Sequence, residues 1–184
     1  MTKVYVYGLK ENQKELLVAL CSRFDFDLIL WDKEALKEQV GFLIDAPGFQ
    51  SSGEEVPEVE ETFLLFSDFP REKLNDFLKN LREQVAYFPL KAHVTENNIK
   101  WRLYDLIAHN KEEHQVMELY NRLTRLFPIA QALLEQKENP PLRDALHRAK
   151  DYLHPGEFEF EELKNIYNTL ASTTNEVLRE YEKK

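Results

Sequence analysis

The residues with the most chemical potential in this chain lie in the stretch LKAHVTENNIKW, residues 90–101. Its pattern predicts a short apolar strand, then a polar corner, then the beginning of a helix. The free N–H groups at a helix N-terminus can bind an anion, and a lysine nearby would add to the attraction. The stretch therefore supplies a candidate anion- or ligand-binding corner, made of Lys91, His93, Thr95, Asn98 and Trp101.

A purely structural interpretation explains the same corner and stays open beside the first. A threonine at a strand-to-helix corner is a natural N-cap, because its hydroxyl can accept from a backbone N–H two or three residues later. Asn98 would brace the first helical turn, and Trp101 would pack its ring on the edge of the sheet. On this interpretation, Thr95 caps the helix and Trp101 anchors it.

The helix predicted to follow carries a second set of polar side chains. Trp101, Asp105, His109 and Glu113 lie four residues apart, so they would share one helix face. A carboxylate and an imidazole at that spacing could hold a metal ion or relay a proton. No H-E-x-x-H motif reinforces them, so a solvated helix face is the simpler interpretation.

Recognised catalytic signatures are missing from the sequence. It contains no glycine-rich nucleotide loop, no G-x-S-x-G and no paired-cysteine motif. We therefore expect no catalytic residue, no cofactor and no metal. Because residues distant in sequence can converge in a fold, the enzyme alternative stays open.

Charge and cysteine content narrow the classes of partner and compartment. The formal net charge of -9 disfavours binding to nucleic acid and to anionic membrane surfaces. Cys21 is the only cysteine, so no intrachain disulfide can form, and its helical spacing from Leu17 and Phe24 predicts a buried thiol. No apolar run approaches the roughly 20 residues of a spanning helix, and the N-terminus lacks a signal-peptide pattern. These features predict a cytoplasmic protein.

Two strand–helix–strand patterns occupy the first hundred residues. Strands are predicted at 3–8, 26–31, 62–67 and around 90–94, with helices at 9–24 and from Pro70 onward. Two such βαβ units predict a four-stranded sheet of the α/β class, with α+β as an alternative. The pattern leaves strand order open between a ferredoxin-like split arrangement and a small mixed or parallel sheet.

The segment between these two units contains a short helix and a loop. Asp32 would cap a helix that ends at Gly41. Residues 46–61 then combine Pro, Gly and Ser with an acidic run, which predicts an exposed, mobile acidic loop. A solvated spacer is the simplest role for it, and a site for a cation or a basic partner is the alternative.

The C-terminal part is predicted to be helical throughout. The polar run 108–115 would take the first helix out of the core or break it, and Pro128 would kink or interrupt its continuation. Asn139-Pro140-Pro141 would form a further break. We therefore expect an α/β domain over 1–115 and a helical tail or small helical bundle over 116–184.

Several of these residues also carry a family resemblance. They are Gly41, Phe63–Phe66, and a K-A-x-x-T-x-x-N-x-x-W motif formed by Lys91-Ala92 with Thr95, Asn98 and Trp101, followed by Glu113-His114. Over about residues 1–115 the chain resembles a bacterial family of small α/β proteins known only as a domain of unknown function. His93 departs from this pattern, which has an apolar residue in that place. The resemblance implies an α/β fold and a bacterial cytosolic context, and it implies no activity.

Two functional hypotheses follow from the sequence. The first is a non-catalytic protein-interaction or regulatory module, whose helical tail binds a protein partner or a second copy of the chain. The second is a small-molecule or anion-binding domain, or an enzyme, with its site at the Thr95–Trp101 corner. Neither hypothesis includes nucleic acid or membrane as a partner.

Overall fold

The computed structural model describes residues 2–51, 53–153 and 158–182. The chain divides into two compact units, Met1–Lys111 and Glu112–Lys184. The strands are β1 (Lys3–Tyr7), β2 (Asp27–Trp31), β3 (Phe63–Ser67) and β4 (Leu90–His93). The α-helices are α1 (Glu11–Phe24), α2 (Val40–Leu43), α3 (Arg71–Gln84), α4 (Leu103–Gln136), α5 (Pro140–Leu153) and α6 (Phe160–Glu182), and two 3-10 helices span Lys33–Lys37 and Asn98–Lys100.

The first unit is built on a four-stranded sheet with the order β2-β1-β3-β4. β1 pairs in parallel with β2, and β3 pairs in parallel with β4. The two central strands run antiparallel, with Tyr5 opposite Leu65. The predicted α/β class and the two βαβ units are confirmed, and the sheet is mixed.

This strand order corrects two of the predicted alternatives. In a ferredoxin-like sheet, the two strands of a βαβ unit are separated by a third strand. Here the strands of each unit hydrogen-bond to each other directly. An all-parallel sheet is also wrong, because the two units meet through an antiparallel pair of strands.

The central strands are buried on both faces, which gives the first unit two cores. Val4 and Val6 of β1 face α1 and α3, whereas Tyr5 and Tyr7 face the opposite side. The first core contains Val4, Val6, Leu17, Leu20, Cys21, Phe26, Leu64, Phe66, Phe77, Leu81 and Phe88. The second contains Tyr5, Tyr7, Ala35, Leu36, Val40, Phe63, Leu65, Leu90, Leu103, Leu106 and Ile107. The first unit therefore has three layers, with the sheet in the middle.

The prediction that the link after β2 forms one helix ending at Gly41 is wrong. Asp32 does cap a helix, accepting from the Glu34 N–H at 3.0 Å, but this is a short 3-10 helix. It ends because the Glu38 carbonyl accepts from the Leu103 N–H at 2.9 Å, which ties the chain to the start of α4. Gly41 lies inside α2, where the ring of Phe49 approaches to 2.5 Å of the place a Cβ would occupy.

The acidic segment 46–61 has no regular structure where it is described, and Ser52 lies outside the described residues. Most of its carboxylates are exposed, as predicted, yet it is not a free spacer. Val56 and Val59 pack against the second core, and the Tyr7 hydroxyl donates to the Val59 carbonyl at 2.8 Å. Ion pairs join Glu54 to Arg102 and Glu61 to Lys111. Apolar contacts therefore hold the segment against the unit.

The second unit is a helical bundle with a core of its own. α4, α5 and α6 contribute Leu123, Ala130, Leu133, Leu142, Leu146, Ala149, Leu163, Ile166, Leu170 and Val177 to it. Pro128 does not interrupt α4, and the polar run 108–115 does not break it. Pro140 begins α5 rather than preceding it, because Asn139 caps the helix by accepting from the Leu142 N–H at 3.0 Å.

The structure also bears on membrane insertion. Across the described ranges, no helix combines the length and apolar content needed to cross a bilayer.

Candidate functional site

β4 divides the predicted corner between the two faces of the sheet. Leu90 and Ala92 pack on the second core, so the alternation of a strand turns Lys91 and His93 to the face covered by α1 and α3. The His93 ring lies 5.5 Å from the ring of Phe66, centroid to centroid. Partial desolvation there lowers the pKa of His93.

Thr95 and Asn98 cap each other rather than the long helix. The Asn98 N–H donates to the Thr95 hydroxyl at 3.1 Å, and the Thr95 N–H donates to the Asn98 side-chain oxygen at 2.8 Å. The predicted cap and brace are confirmed, but the turn they stabilise is the 3-10 helix Asn98–Lys100. The prediction that Thr95 begins the long helix is wrong, because α4 starts at Leu103.

The prediction that the Trp101 ring packs on the edge of the sheet is wrong. Its side chain is exposed, and its ring meets the ring of His109 edge-on at 5.1 Å. The backbone of Trp101, rather than its side chain, is held in place, because its carbonyl accepts a hydrogen bond from the Val40 N–H at 2.9 Å. This pairing holds the link before α4 in an extended conformation and leaves the indole outside both cores.

Two asparagine side chains close the outer edge of β4. The Val94 N–H donates to Phe66 of β3 at 2.9 Å, so the backbone groups of Lys91 and His93 point away from the sheet. Asn110 accepts from the Lys91 N–H at 3.0 Å, and its amide donates to the Lys91 carbonyl at 3.4 Å. The amide of Asn98 donates to the His93 carbonyl at 2.7 Å. This edge is therefore closed to strand addition.

The opposite edge of the sheet, formed by β2, is open. The Asp27 N–H donates to the Thr2 carbonyl, so the backbone of Leu28 and Leu30 points away from β1. Within the described ranges, no protein group hydrogen-bonds to these outward backbone groups. Leu30 is 41 % exposed although it lies in a strand. We call Leu28–Leu30 the open edge.

Lys91 lines a groove between α3 and β4 that we call the α3–β4 groove. Its lining residues are Leu78, Lys79, Leu81, Arg82, Glu83, Ala86, Tyr87, Phe88 and Lys91, and its volume is about 430 Å³. The Lys91 ammonium and the Arg82 guanidinium each lie 5.6 Å from the centroid of the Tyr87 ring. The Lys91 ammonium also donates to the Phe88 carbonyl at 3.0 Å, and its burial lowers the pKa of Lys91. The groove therefore combines positive charge with an exposed aromatic ring.

Arg102 is engaged in an ion pair, and Cys21 is buried. Arg102 forms a bidentate ion pair with Asp105, with Nε to oxygen at 2.7 Å. Burial raises the pKa of Cys21 to about 12, so the thiol stays protonated at neutral pH. No group of three or more His, Cys, Asp or Glu side chains that could hold a metal ion occurs in the parts of the chain that the structure describes.

Sequence reasoning brought Lys91 forward but missed its neighbours in space. Arg82 and Tyr87 precede it by nine and four residues, in the last turn of α3 and the link after it. No motif connects them, since they meet only because α3 packs across the sheet beside β4. Asn110 was missed for the same reason. Charged residues inside predicted strands, such as Asp27 and Lys91, were an available signal for edge strands.

Fold and surface together define an α/β protein with a mixed four-stranded sheet, one open edge and one closed edge. Residues 62–117 match the model of a family described as a domain of unknown function, DUF3783. The match confirms the predicted resemblance to an uncharacterised domain family and covers β3, α3, β4 and the beginning of α4. No curated protein and no solved structure matches the chain.

Proposed function

We propose that this chain is a non-catalytic protein-interaction module that self-associates through the open edge of its sheet. Its occupant is a second copy of the chain, whose β2 pairs antiparallel with the first across a two-fold axis. The bacterial cytosol is part of the same proposal. The family resemblance suggests it, and a lone buried cysteine suits a reducing compartment.

The asymmetry between the two sheet edges carries the proposal. Strand edges are protected in natural proteins because unpaired backbone groups recruit other strands. The β4 edge is protected by Asn98 and Asn110, whereas the outward groups of Leu28 and Leu30 have no protein partner among the described residues. An open edge with an exposed leucine suits pairing with another strand.

The sequence of β2 suits pairing with itself. Antiparallel pairing centred on Ile29 sets Leu28 of one copy opposite Leu30 of the other, and each such pair exchanges two backbone hydrogen bonds. The two leucines lie on the same face, so each Leu30 would be covered.

The helical unit is a weaker candidate for this contact than its sequence indicates. The apolar stripes of its helices pack against each other in its own core, where Leu123, Leu142, Leu146, Leu163 and Leu170 are at most 1 % exposed. Among its described residues, the exposed large apolar side chains are Met117 and Ile129, twelve residues apart on α4, and Leu178 on α6. We therefore place the proposed contact on β2.

The test is the mass in solution of the full chain and of two leucine-to-lysine variants. Leu30→Lys puts a charge on the open edge, and we expect it to weaken the dimer at least about tenfold. Leu178→Lys is the matched control, because Leu178 has a similar exposure of 38 % and lies in the helical unit. Light scattering after size exclusion, over a concentration series, measures the dissociation.

Hydrogen exchange locates the contact residue by residue. The amides of Leu28 and Leu30 should gain protection as the protein concentration rises, whereas the amide of Ile29 already faces β1 and should not change. A monomer at high micromolar concentration would overturn the proposal. So would a dimer that Leu178→Lys dissociates and Leu30→Lys does not, since that result assigns self-association to the helical unit.

Ligand binding at the Thr95–Trp101 corner has less support as a second function. The hydroxyl of Thr95 and the side-chain oxygen of Asn98 are hydrogen-bonded to each other's backbone, and the Asn98 amide is bonded to His93. Few polar groups at this corner are left for a ligand.

A further inference from the structure

We propose that the α3–β4 groove binds a small organic phosphate, that is, a phosphate monoester on a flat apolar body. This site is independent of the open edge, because it lies beside β4 at the other side of the sheet. The inference depends on the charge of the groove, on the burial of one cation and on the apolar part of the lining.

The groove is basic within an acidic chain. Lys79, Arg82 and Lys91 line it, and Glu83 is the one carboxylate among its lining residues. In the described part of the chain, no carboxylate forms an ion pair with any of these three cations. A phosphate monoester carries a charge of about -1.5 to -2 at neutral pH, which matches three cations offset by one carboxylate.

Of the three cations, Lys91 is the one whose ammonium is partly buried without a counter-ion among the described residues. Its ammonium is partly buried, and the acceptor it reaches is the Phe88 carbonyl at 3.0 Å. A desolvated ammonium without a counter-ion is unfavourable, and an anion placed beside it recovers part of that cost. The lowered pKa of Lys91 has the same cause, namely burial without a compensating negative charge.

The rest of the groove suits a flat apolar body rather than a bare ion. Tyr87 is 60 % exposed, so an apolar body held by Arg82 and Lys91 can contact the exposed part of the ring beside these two cations. Leu78, Ala86 and Phe88 add apolar surface to the lining. A volume of about 430 Å³ is at the lower end of the range for small-ligand sites.

Phenyl phosphate is the probe that tests this inference, titrated into the full chain and followed by calorimetry and by amide NMR shifts. We expect saturable binding with shifts at Tyr87 and Lys91, and an affinity that falls with added salt. Inorganic phosphate and benzyl alcohol each carry one half of the probe, and each should bind at least about tenfold more weakly.

Four variants assign the binding to the groove. Lys91→Met and Arg82→Gln should each weaken phenyl phosphate at least about tenfold, since each removes a cationic donor. Glu83→Gln should strengthen it, because it removes the opposing charge. Lys150→Met is the matched control on exposed α5 surface and should leave the affinity unchanged. Arg82 and Glu83 are exposed, so their variants keep the test valid even where Lys91→Met perturbs folding.

Three results would overturn the inference. The first is no saturable binding of phenyl phosphate at millimolar concentration. The second is equal binding of inorganic phosphate, which would mean that the groove attracts anions without recognising an organic body. The third is an affinity that Lys150→Met lowers as much as Arg82→Gln does, which would show a response to net charge alone.

Discussion

At the scale of single residues, position in the pleat decides what Lys91 can do. Adjacent strand residues point to opposite faces, so Lys91 shares the groove with Tyr87, whereas Ala92 packs on the second core. Thr95 and Asn98 use their polar groups on each other. Among these residues, Lys91 is therefore the one whose charge lacks a carboxylate partner in the described part of the chain, whereas the polar groups of Thr95 and Asn98 stabilise the local turn.

The burial of Lys91 predicts a pH-dependent change in stability. Its pKa is lowered in the folded state, so the protonated form destabilises the fold fully below that pKa, and the cost disappears as pH rises toward the ordinary lysine pKa of about 10.4. Because the ammonium is only partly buried and keeps much of its hydration, we expect Lys91→Met to raise the free energy of unfolding by less than about 1 kcal/mol at pH 7, and by still less at alkaline pH. Urea unfolding at several pH values measures this.

Lys150→Met is again the control and should show no pH-dependent difference from the parent chain. A Lys91→Met variant less stable than the parent at pH 7 would contradict the prediction. It would mean that the hydrogen bond to Phe88 and the contact with Tyr87 outweigh the desolvation of the ammonium.

At the scale of elements, the two edge strands are treated in opposite ways. β4 is covered by asparagine amides that imitate the backbone of a neighbouring strand. β2 keeps its outward groups without protein partners among the described residues. Because sheets recruit strands at unprotected edges, we expect this difference to direct the proposed association to the β2 side of the sheet.

Removing the Asn110 side chain from the outer edge of β4 should therefore leave a second sheet edge with unpaired backbone groups. Asn110→Ala leaves the N–H and carbonyl of Lys91 without their partner, and we expect a loss of about 1–3 kcal/mol in unfolding free energy. We also expect association that the parent chain does not show, measured by light scattering. Asn121→Ala, at an exposed position of the same helix, should cause neither change. An Asn110→Ala variant of unchanged stability and mass would refute the role given to Asn110.

At the scale of the whole molecule, the chain has separate cores in two units. The sheet unit places one core on each face of its sheet, and the helical unit buries its own stripes among α4, α5 and α6. α4 contributes residues to both units, from Leu103 in the first to Leu133 in the second. Each unit therefore has a source of stability that the other does not supply.

A cavity in the helical core should have a local effect. Leu170 is fully buried in that core, and Leu170→Ala should cost about 2–5 kcal/mol there. Hydrogen exchange should show faster opening of amides in α5 and α6, with little change in β1 and β3. Leu178→Ala, at an exposed position of the same helix, is the control. Equal loss of protection in β1 would contradict two independently stabilised units.

Much of the local structure was predictable because it depends on short-range pattern. Alternating and continuous apolar runs predict all four strands, and the 3.6-residue periodicity predicts α1 and α3 within a few residues. The errors fall where distant contacts act. The Leu103 N–H donates to the Glu38 carbonyl, and this bond interrupts the helix predicted after Asp32. The Val40 N–H donates to the Trp101 carbonyl, and this bond keeps Trp101 out of α4. Local propensity carries no information about either contact.

The sequence by itself determined the four strands, the two βαβ units, the helical character of the C-terminal part, the buried Cys21 and the acidic balance, because these depend on neighbours along the chain. Only the tertiary structure decided which strands lie at the edges, the antiparallel meeting of β1 and β3, and the gathering of Arg82, Tyr87 and Lys91. The physical reason is that burial on both faces is a property of the assembled sheet. VYVY and FLLF take the centre, where both of their faces are covered, and β2 and β4, most of whose residues are only partly buried, remain at the edges.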